Sequence, residues 1–331
     1  MTRPDPDQPN QPDQPDPGFV DEAAIDAVQQ RIAGAVLRTP LIPSPALSDL
    51  TGLEIYLKPE LLQPTGSFKV RGVFAMLAGL DDAQRRRGVL AFSAGNHAMA
   101  VAYAAGRAGV AVTVCMPAGA VAFKVDAVRA MGARLELVEG DLVARAHELA
   151  QAEQLTLLHP FDHPAVVAGT ATIGREIVAD LPQVAAVIVP VGGGGLISGV
   201  ATAVKRARPQ ARVIGVEPEG ADVVSRSLAA GEAVTLRTAR SVADGLSAPI
   251  AGAVNLVHIR RYVDEVVRVS EDQILTAWRA MVRRGKLAAE PAGAAGLAAV
   301  LGGGLELDPP LGPVVLVVGG GNTDLLAGAD A

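Results

Sequence analysis

Lys69 has an uncommon set of neighbours for a lysine. It lies in Thr65-Gly66-Ser67-Phe68-Lys69-Val70-Arg71-Gly72, among small, turn-forming and apolar residues where an extended segment passes into a helix. A lysine ordinarily snorkels to water or pairs with an acid, and residue type alone leaves that reading open. A desolvated lysine behaves differently: its pKa falls, and the neutral amine can condense with an aldehyde to form a Schiff base.

Three further segments combine glycine with a helix start or a strand end. Ser93-Ala94-Gly95-Asn96-His97 opens a helix, so its backbone amides and the helix dipole suit an anion such as a carboxylate, while Asn96 offers an amide to a phenolic or carbonyl oxygen. A plain N-cap is the simpler alternative. Gly192-Gly193-Gly194-Gly195-Leu196 stands between an apolar run and a helix. Each glycine costs roughly 0.5–1 kcal/mol to order relative to alanine, which makes sense where backbone must approach a phosphate closely. Counting G-x-G-x-x-G from Gly192 lands on Ile197, and Val200 stands where a nucleotide P-loop needs lysine, so a monophosphate fits better than a nucleotide. A flexible turn is the competing reading. Gly319-Gly320-Gly321-Asn322 is weaker by itself, and Asp244-Gly245 and Glu290-Pro291 read equally well as ordinary turns or caps.

The elements that would position these segments alternate along the chain. Of 331 residues half are apolar, and short branched runs alternate with alanine-rich stretches of helical period, which predicts an α/β fold with parallel sheets. Strands are expected at Glu54–Leu57, Gly88–Ala91, Ala111–Met116, Arg134–Val138, Ala186–Val191, Val213–Glu217, Glu265–Val269 and Val314–Val318. Three of them run directly into the glycine or small-polar loops, the place where open sheets bind ligands. The first eighteen residues, rich in proline, aspartate and glutamine, are expected to be a disordered tail.

Bulk properties exclude other classes. A formal charge of -6 argues against nucleic acid as a partner and points to a small molecule. The single cysteine, Cys115, allows neither a disulfide framework nor a cysteine-rich metal site. No leader-like or membrane-spanning apolar run is present, so a cytoplasmic location is expected.

Taken together, in this order and spacing, the segments resemble fold-type II pyridoxal-phosphate enzymes (tryptophan synthase beta-subunit-like), within the serine/threonine dehydratase and serine racemase branch. The resemblance runs from about Ile32 to Leu325, with supporting matches at Lys58-Pro59-Glu60, His159-Pro160-Phe161-Asp162 and Glu290-Pro291. It implies two open twisted α/β domains: a small mobile one over 88–161 and a large cofactor-binding one from 19–87 with 162–331. It implies pyridoxal 5'-phosphate as cofactor and Lys69 as the Schiff-base lysine. Phe68 would pack on the ring, Asn96 would bond its phenolic oxygen, Gly192, Gly193, Gly194, Gly195 and Leu196 would hold the phosphate, and Gly319 would lie beside the ring nitrogen. Ser93, Ala94, Gly95, Asn96 and His97 would receive the substrate carboxylate. The implied activity is dehydration and deamination of a small hydroxy amino acid, L-threonine or L-serine, to a 2-oxo acid and ammonia, in a homodimer or homotetramer.

Departures from the family pattern sharpen these expectations. Racemases of this family carry a serine base where this chain has Ala94, which has no proton to exchange, so elimination is expected over racemisation. Relatives place serine or cysteine at Gly319, so the partner of the ring nitrogen is open. Met99-Ala100 and Gly169-Thr170-Ala171-Thr172 differ from the common residues, which leaves room for a less usual substrate of the 3-hydroxyaspartate or hydroxyectoine type. A protein that stores the cofactor without turning substrate over is the alternative outside catalysis. The family's cation site would fall on Glu217, Ala221 and Val223, and no metal is expected there because valine has no ligating side chain. Only a short stretch follows Asn322 here, so the regulatory domain of biosynthetic threonine dehydratases, and isoleucine feedback with it, are not expected.

Overall fold

The computed structural model describes residues 18–302, 305, 307 and 312–324. All of the proline-rich segment before Gly18 lies outside the described residues, as do Gly303 and Gly304. In chain order the strands are β1 (Ile42–Pro43), β2 (Ile55–Pro59), β3 (Val89–Phe92), β4 (Val112–Pro117), β5 (Arg134–Val138), β6 (Thr156–Leu157), β7 (Ala186–Pro190), β8 (Arg212–Pro218), β9 (Glu265–Val269) and β10 (Val314–Val318). They form two sheets, ordered β1-β2-β10-β7-β8-β9 and β5-β4-β3-β6. Every neighbouring pair is parallel except β1 with β2. The fold is thus α/β with parallel sheets, as the alternation of short branched runs and alanine-rich stretches requires.

All eight expected strands are present, and most differences lie at their ends. β2, β4, β7 and β8 each end on a proline, Pro59, Pro117, Pro190 and Pro218. A residue without an N–H is tolerated at the end of a ladder, and it turns the chain out into the loops that build the cleft. β1 and β6 were not expected; at two residues each they are too short to carry a period. The longest strands are buried along nearly their whole length, β7 and β10 completely.

Two packing features fix the parts that matter for chemistry. The helices Pro164–Asp180 and Gly195–Ala207 touch almost backbone to backbone. A β-carbon on Gly199 would stand 2.4 Å from Val167 O, and one on Gly174 would stand 2.7 Å from Val200 O. The second feature is a buried ionic cluster. Arg71, two residues beyond Lys69 on the helix Lys69–Ala78, donates from Nε and Nη2 to Glu60 at 2.8 Å each, and from Nη1 and Nη2 to Glu176 at 2.7 and 2.9 Å. Lys58 Nζ completes the cluster, 2.6 Å from Glu176 Oε2 and 2.7 Å from Thr39 O.

Removing one anion from this cluster leaves two buried cations short of a partner. Glu176→Ala is expected to lower unfolding free energy by about 3–5 kcal/mol, read from urea denaturation. A loss under about 1 kcal/mol, the worth of a solvated surface pair, would show that the cluster does not carry the fold.

Candidate active site

The glycine-rich loop after β7 lies between aromatic and aliphatic walls. A β-carbon on Gly193 would sit 2.5 Å from the Phe161 ring, one on Gly195 3.0 Å from Phe161 O, and one on Gly192 3.2 Å from Leu246 O. Gly194 has φ +95, the left-handed region that other residues rarely adopt. The loop's carbonyls are tied from behind. Gly193 O accepts from Gly252 N (3.0 Å) and Asn255 Nδ2 (2.8 Å), Gly194 O from Ser198 Oγ (2.8 Å), and Gly195 O from Thr170 Oγ1 (2.9 Å). Because the helix Gly195–Ala207 starts here, its first-turn amides have no upstream carbonyl and are free for an anion.

That loop lines a cavity of about 350 Å³ together with Phe68, Lys69, the whole segment Ser93 to His97, Leu196 and Gly319. Every site residue anticipated from sequence therefore faces one space. Its size falls within the ~300–1,000 Å³ of small-molecule sites.

Lys69 heads its helix, and its Nζ donates to Pro160 O at 2.8 Å and lies 5.1 Å from the Phe68 ring centroid. Burial lowers the amine to about 8, against an opposing pull from Glu290. His97 is buried, and its Nε2 donates to Leu158 O at 2.8 Å. Burial, assisted by the Lys69 charge, holds that imidazole down at about 3, so it stays neutral and contributes its backbone at the helix start rather than an acid. Ser93 Oγ accepts from Gly95 N at 3.1 Å, closing the turn into the helix Asn96–Arg107.

Asn96 reveals what residue patterns left as ordinary turns. Its Nδ2 donates to Glu290 Oε1 at 2.8 Å, and its Oδ1 accepts from Asn322 Nδ2, also at 2.8 Å. Asn322 in turn donates to Thr65 O at 2.8 Å, so the segment before Lys69, the Asn96 loop and the end of β10 share one polar chain. Glu290 is pushed up to about 7 by burial first and by Asp244 next. A usable signal was present: Glu290 is the sole charged residue from Leu287 to Leu301. Lys124 and Asp244 also line the cavity, paired at 2.9 Å. Asp244 read as an ordinary turn and Lys124 gave no signal, because the two lie 120 positions apart in the chain.

Outside the cavity, the buried Glu217 carboxylate accepts from Val224 N (2.7 Å), Ser225 N (2.8 Å) and Ser225 Oγ (2.7 Å). It serves there as an anionic cap on the helix Val223–Ala230. Among the described residues no helix is long and apolar enough to cross a membrane.

The donor set suits pyridoxal phosphate. An amine of lowered pKa and a run of four glycines too close-packed to bear side chains share one cavity, with an aromatic ring beside the amine. Comparison with known proteins agrees. The family model for pyridoxal-phosphate dependent enzymes matches residues 32–320. The L-threonine ammonia-lyase of Thermotoga maritima is 43% identical over 305 residues, covering 91% of this chain and 75% of that protein. Among solved structures, a threonine deaminase from T.th. superposes with a TM-score of 0.86 at 40% identity, over 92% of this chain and 99% of that one. Maize serine racemase superposes with a TM-score of 0.90 at 34% identity, over 94% and 96%. With the family model spanning residues 32–320 and the fold superposing over more than nine-tenths of its length, the chain belongs to the pyridoxal-phosphate dependent enzyme family and has the fold-type II architecture.

Proposed function

We propose that this protein is a lyase that dehydrates and deaminates a small hydroxy amino acid, L-threonine or L-serine, to a 2-oxo acid and ammonia. The observation that carries the reading is the Lys69 amine, lowered to about 8, in the same cavity as the Gly192–Gly195 cradle and the Ser93–His97 loop.

Lys69 would hold the cofactor aldehyde, the amides from Gly192 to Leu196 its phosphate, Phe68 one face of its ring, and Asn96 its phenolic oxygen. Bound there, pyridoxal phosphate supplies an aldehyde for the substrate amine and a conjugated ring that accepts the electron pair released at the α-carbon. The Ser93–His97 loop orients the substrate carboxylate. With the cofactor bound, the Lys69 amine would be the base that takes the α-proton; an amine near 8 suits a base working close to neutral pH. His97, committed to Leu158 O, takes no proton in this cycle. Ala94 lines the cavity without an ionisable group, which supports elimination over racemisation even though a serine racemase superposes closely. The relatives named as a threonine ammonia-lyase and a threonine deaminase support the substrate class.

The same reading assigns the segment 88–161, which contains β3 to β6, to a small domain able to move over the cavity. It also places the protein in the cytoplasm as a homodimer or homotetramer, in keeping with a single buried, unpaired cysteine.

Three outcomes are expected. Borohydride reduction of the purified protein should leave a B6 adduct on Lys69, and Lys69→Ala should lose both the adduct and the release of oxo acid from L-threonine. An intact adduct elsewhere would remove Lys69 from its role. Protein stripped of cofactor should recapture pyridoxal phosphate through the neutral amine. The sign follows from the lowered pKa: the rate should rise about tenfold per pH unit up to about pH 8 and then level, followed by stopped-flow absorbance. A rate still climbing beyond pH 10 would place the amine in water. Gly319→Ser should fit, since a β-carbon there stands 3.4 Å from Phe68 Cδ1 and 3.7 Å from Leu196 Cδ2. It should also move the absorption band of the bound cofactor, and an unchanged band with unchanged turnover would show that Gly319 does not face the ring nitrogen.

A further inference from the structure

The chemistry proposed above leaves one buried charge in the cavity without a task. Lys124 projects from the helix Ala122–Ala130 and is only 6% exposed. Its Nζ lies 2.9 Å from Asp244 Oδ2, yet the Asp244 side chain is 61% exposed. An ion pair with one well-solvated member contributes little to stability, so fold maintenance is a poor reason to hold this ammonium out of water.

Besides Asp244 and the Phe123 ring, 5.9 Å away, Lys124 neighbours the anion-suited loop. The end of its side chain packs on Gly95: a β-carbon on that glycine would stand 3.3 Å from Nζ and 3.6 Å from Cδ. Gly95 immediately precedes the helix Asn96–Arg107, whose first intrahelical donor is Met99 N, to Gly95 O. The amides before Met99 have no upstream carbonyl. Gly95 N is held by Ser93 Oγ and Ser93 N by Cys115 O, so the open donors are the helix-start amides from Asn96 to Ala98, and a buried cation meets them beside Gly95 on the cavity wall.

We propose that Lys124 is the cationic half of the receptor for the substrate α-carboxylate, the open amides at the start of the helix Asn96–Arg107 being the other half, with Asp244 as its counter-ion when no substrate is bound. The inference deepens the lyase reading and rests on it. A carboxylate seated on those amides, beside Gly95, comes within reach of Nζ and replaces one anion by another. No uncompensated charge is buried in the exchange, and Asp244, already largely in water, recovers its hydration. The other ionisable groups lining this cavity are Glu290, Lys69 and His97, the last held neutral, and Glu290 already feels Lys124 as an opposing charge. The arrangement selects amino acids over amines and amino alcohols of the same size.

The test uses holoenzyme and two ligands without a β-hydroxyl, L-alanine and L-alaninol, which differ in the carboxylate; binding is followed by calorimetry. Lys124→Met should weaken L-alanine by about tenfold or more, the loss of a charge-assisted contact, and leave L-alaninol within about twofold. The KM for L-threonine should rise in parallel while kcat changes less, and Lys124→Arg should restore most of the affinity. Asp244→Asn, which frees Lys124 from its competitor, should tighten L-alanine and leave L-alaninol unchanged. Equal effects on both ligands, or an Asp244→Asn protein that binds L-alanine no better, would overturn the assignment. Wild-type protein that binds L-alanine but releases no oxo acid from any hydroxy amino acid would sink the lyase reading while leaving the receptor standing.

Discussion

The guanidinium of Arg71 is the constraint on which the rest of the site depends. It is fully buried and satisfied on both sides, by Glu60 after β2 and by Glu176 on the helix Pro164–Asp180. A charge of this kind is costly to bury and more costly to strand, so the three elements it joins have one arrangement in which every member is paired. Lys69 lies half a turn away on the same helix as Arg71. Its position is thereby set by charges that never touch the cavity, and its amine can be kept dry without being paired.

The same logic runs through the glycines. At Gly199 and Gly174 the missing side chain lets two helices meet, and at Gly193 and Gly195 it lets the loop lie against Phe161. The loop's carbonyls are occupied from behind, so its amides are what the cavity receives. A phosphate-sized acceptor is then bound by backbone already fixed in place, with little left to order on binding.

How much of this was legible in the residues follows their range of action. The strands, the glycine loop, the Asn96 turn and Lys69 each announce themselves within a few neighbours, and all of the residues so marked do face one cavity. β1 and β6 escaped notice because two residues carry no period. Glu290, Asn322 and Asp244 read only as weak turn or cap candidates and Lys124 gave no signal, for another reason: the bonds of Glu290, Asn322 and the Lys124–Asp244 pair span 194, 226 and 120 positions, and an acid or a lysine in a turn looks the same whether it faces water or a cleft. Strand ends drifted by a residue or two where proline closes the ladder.

The close contact between the helices Pro164–Asp180 and Gly195–Ala207 has a mechanical corollary. Through Glu176 the first of them is bolted to the lysine-bearing helix, and through Thr170 it holds the glycine loop. The Lys69 helix and the glycine loop, the proposed anchors for the aldehyde and the phosphate, are therefore tied into a single block. On the proposed reading, rocking of the second sheet would alter only the roof above the ring and leave its two moorings at constant separation.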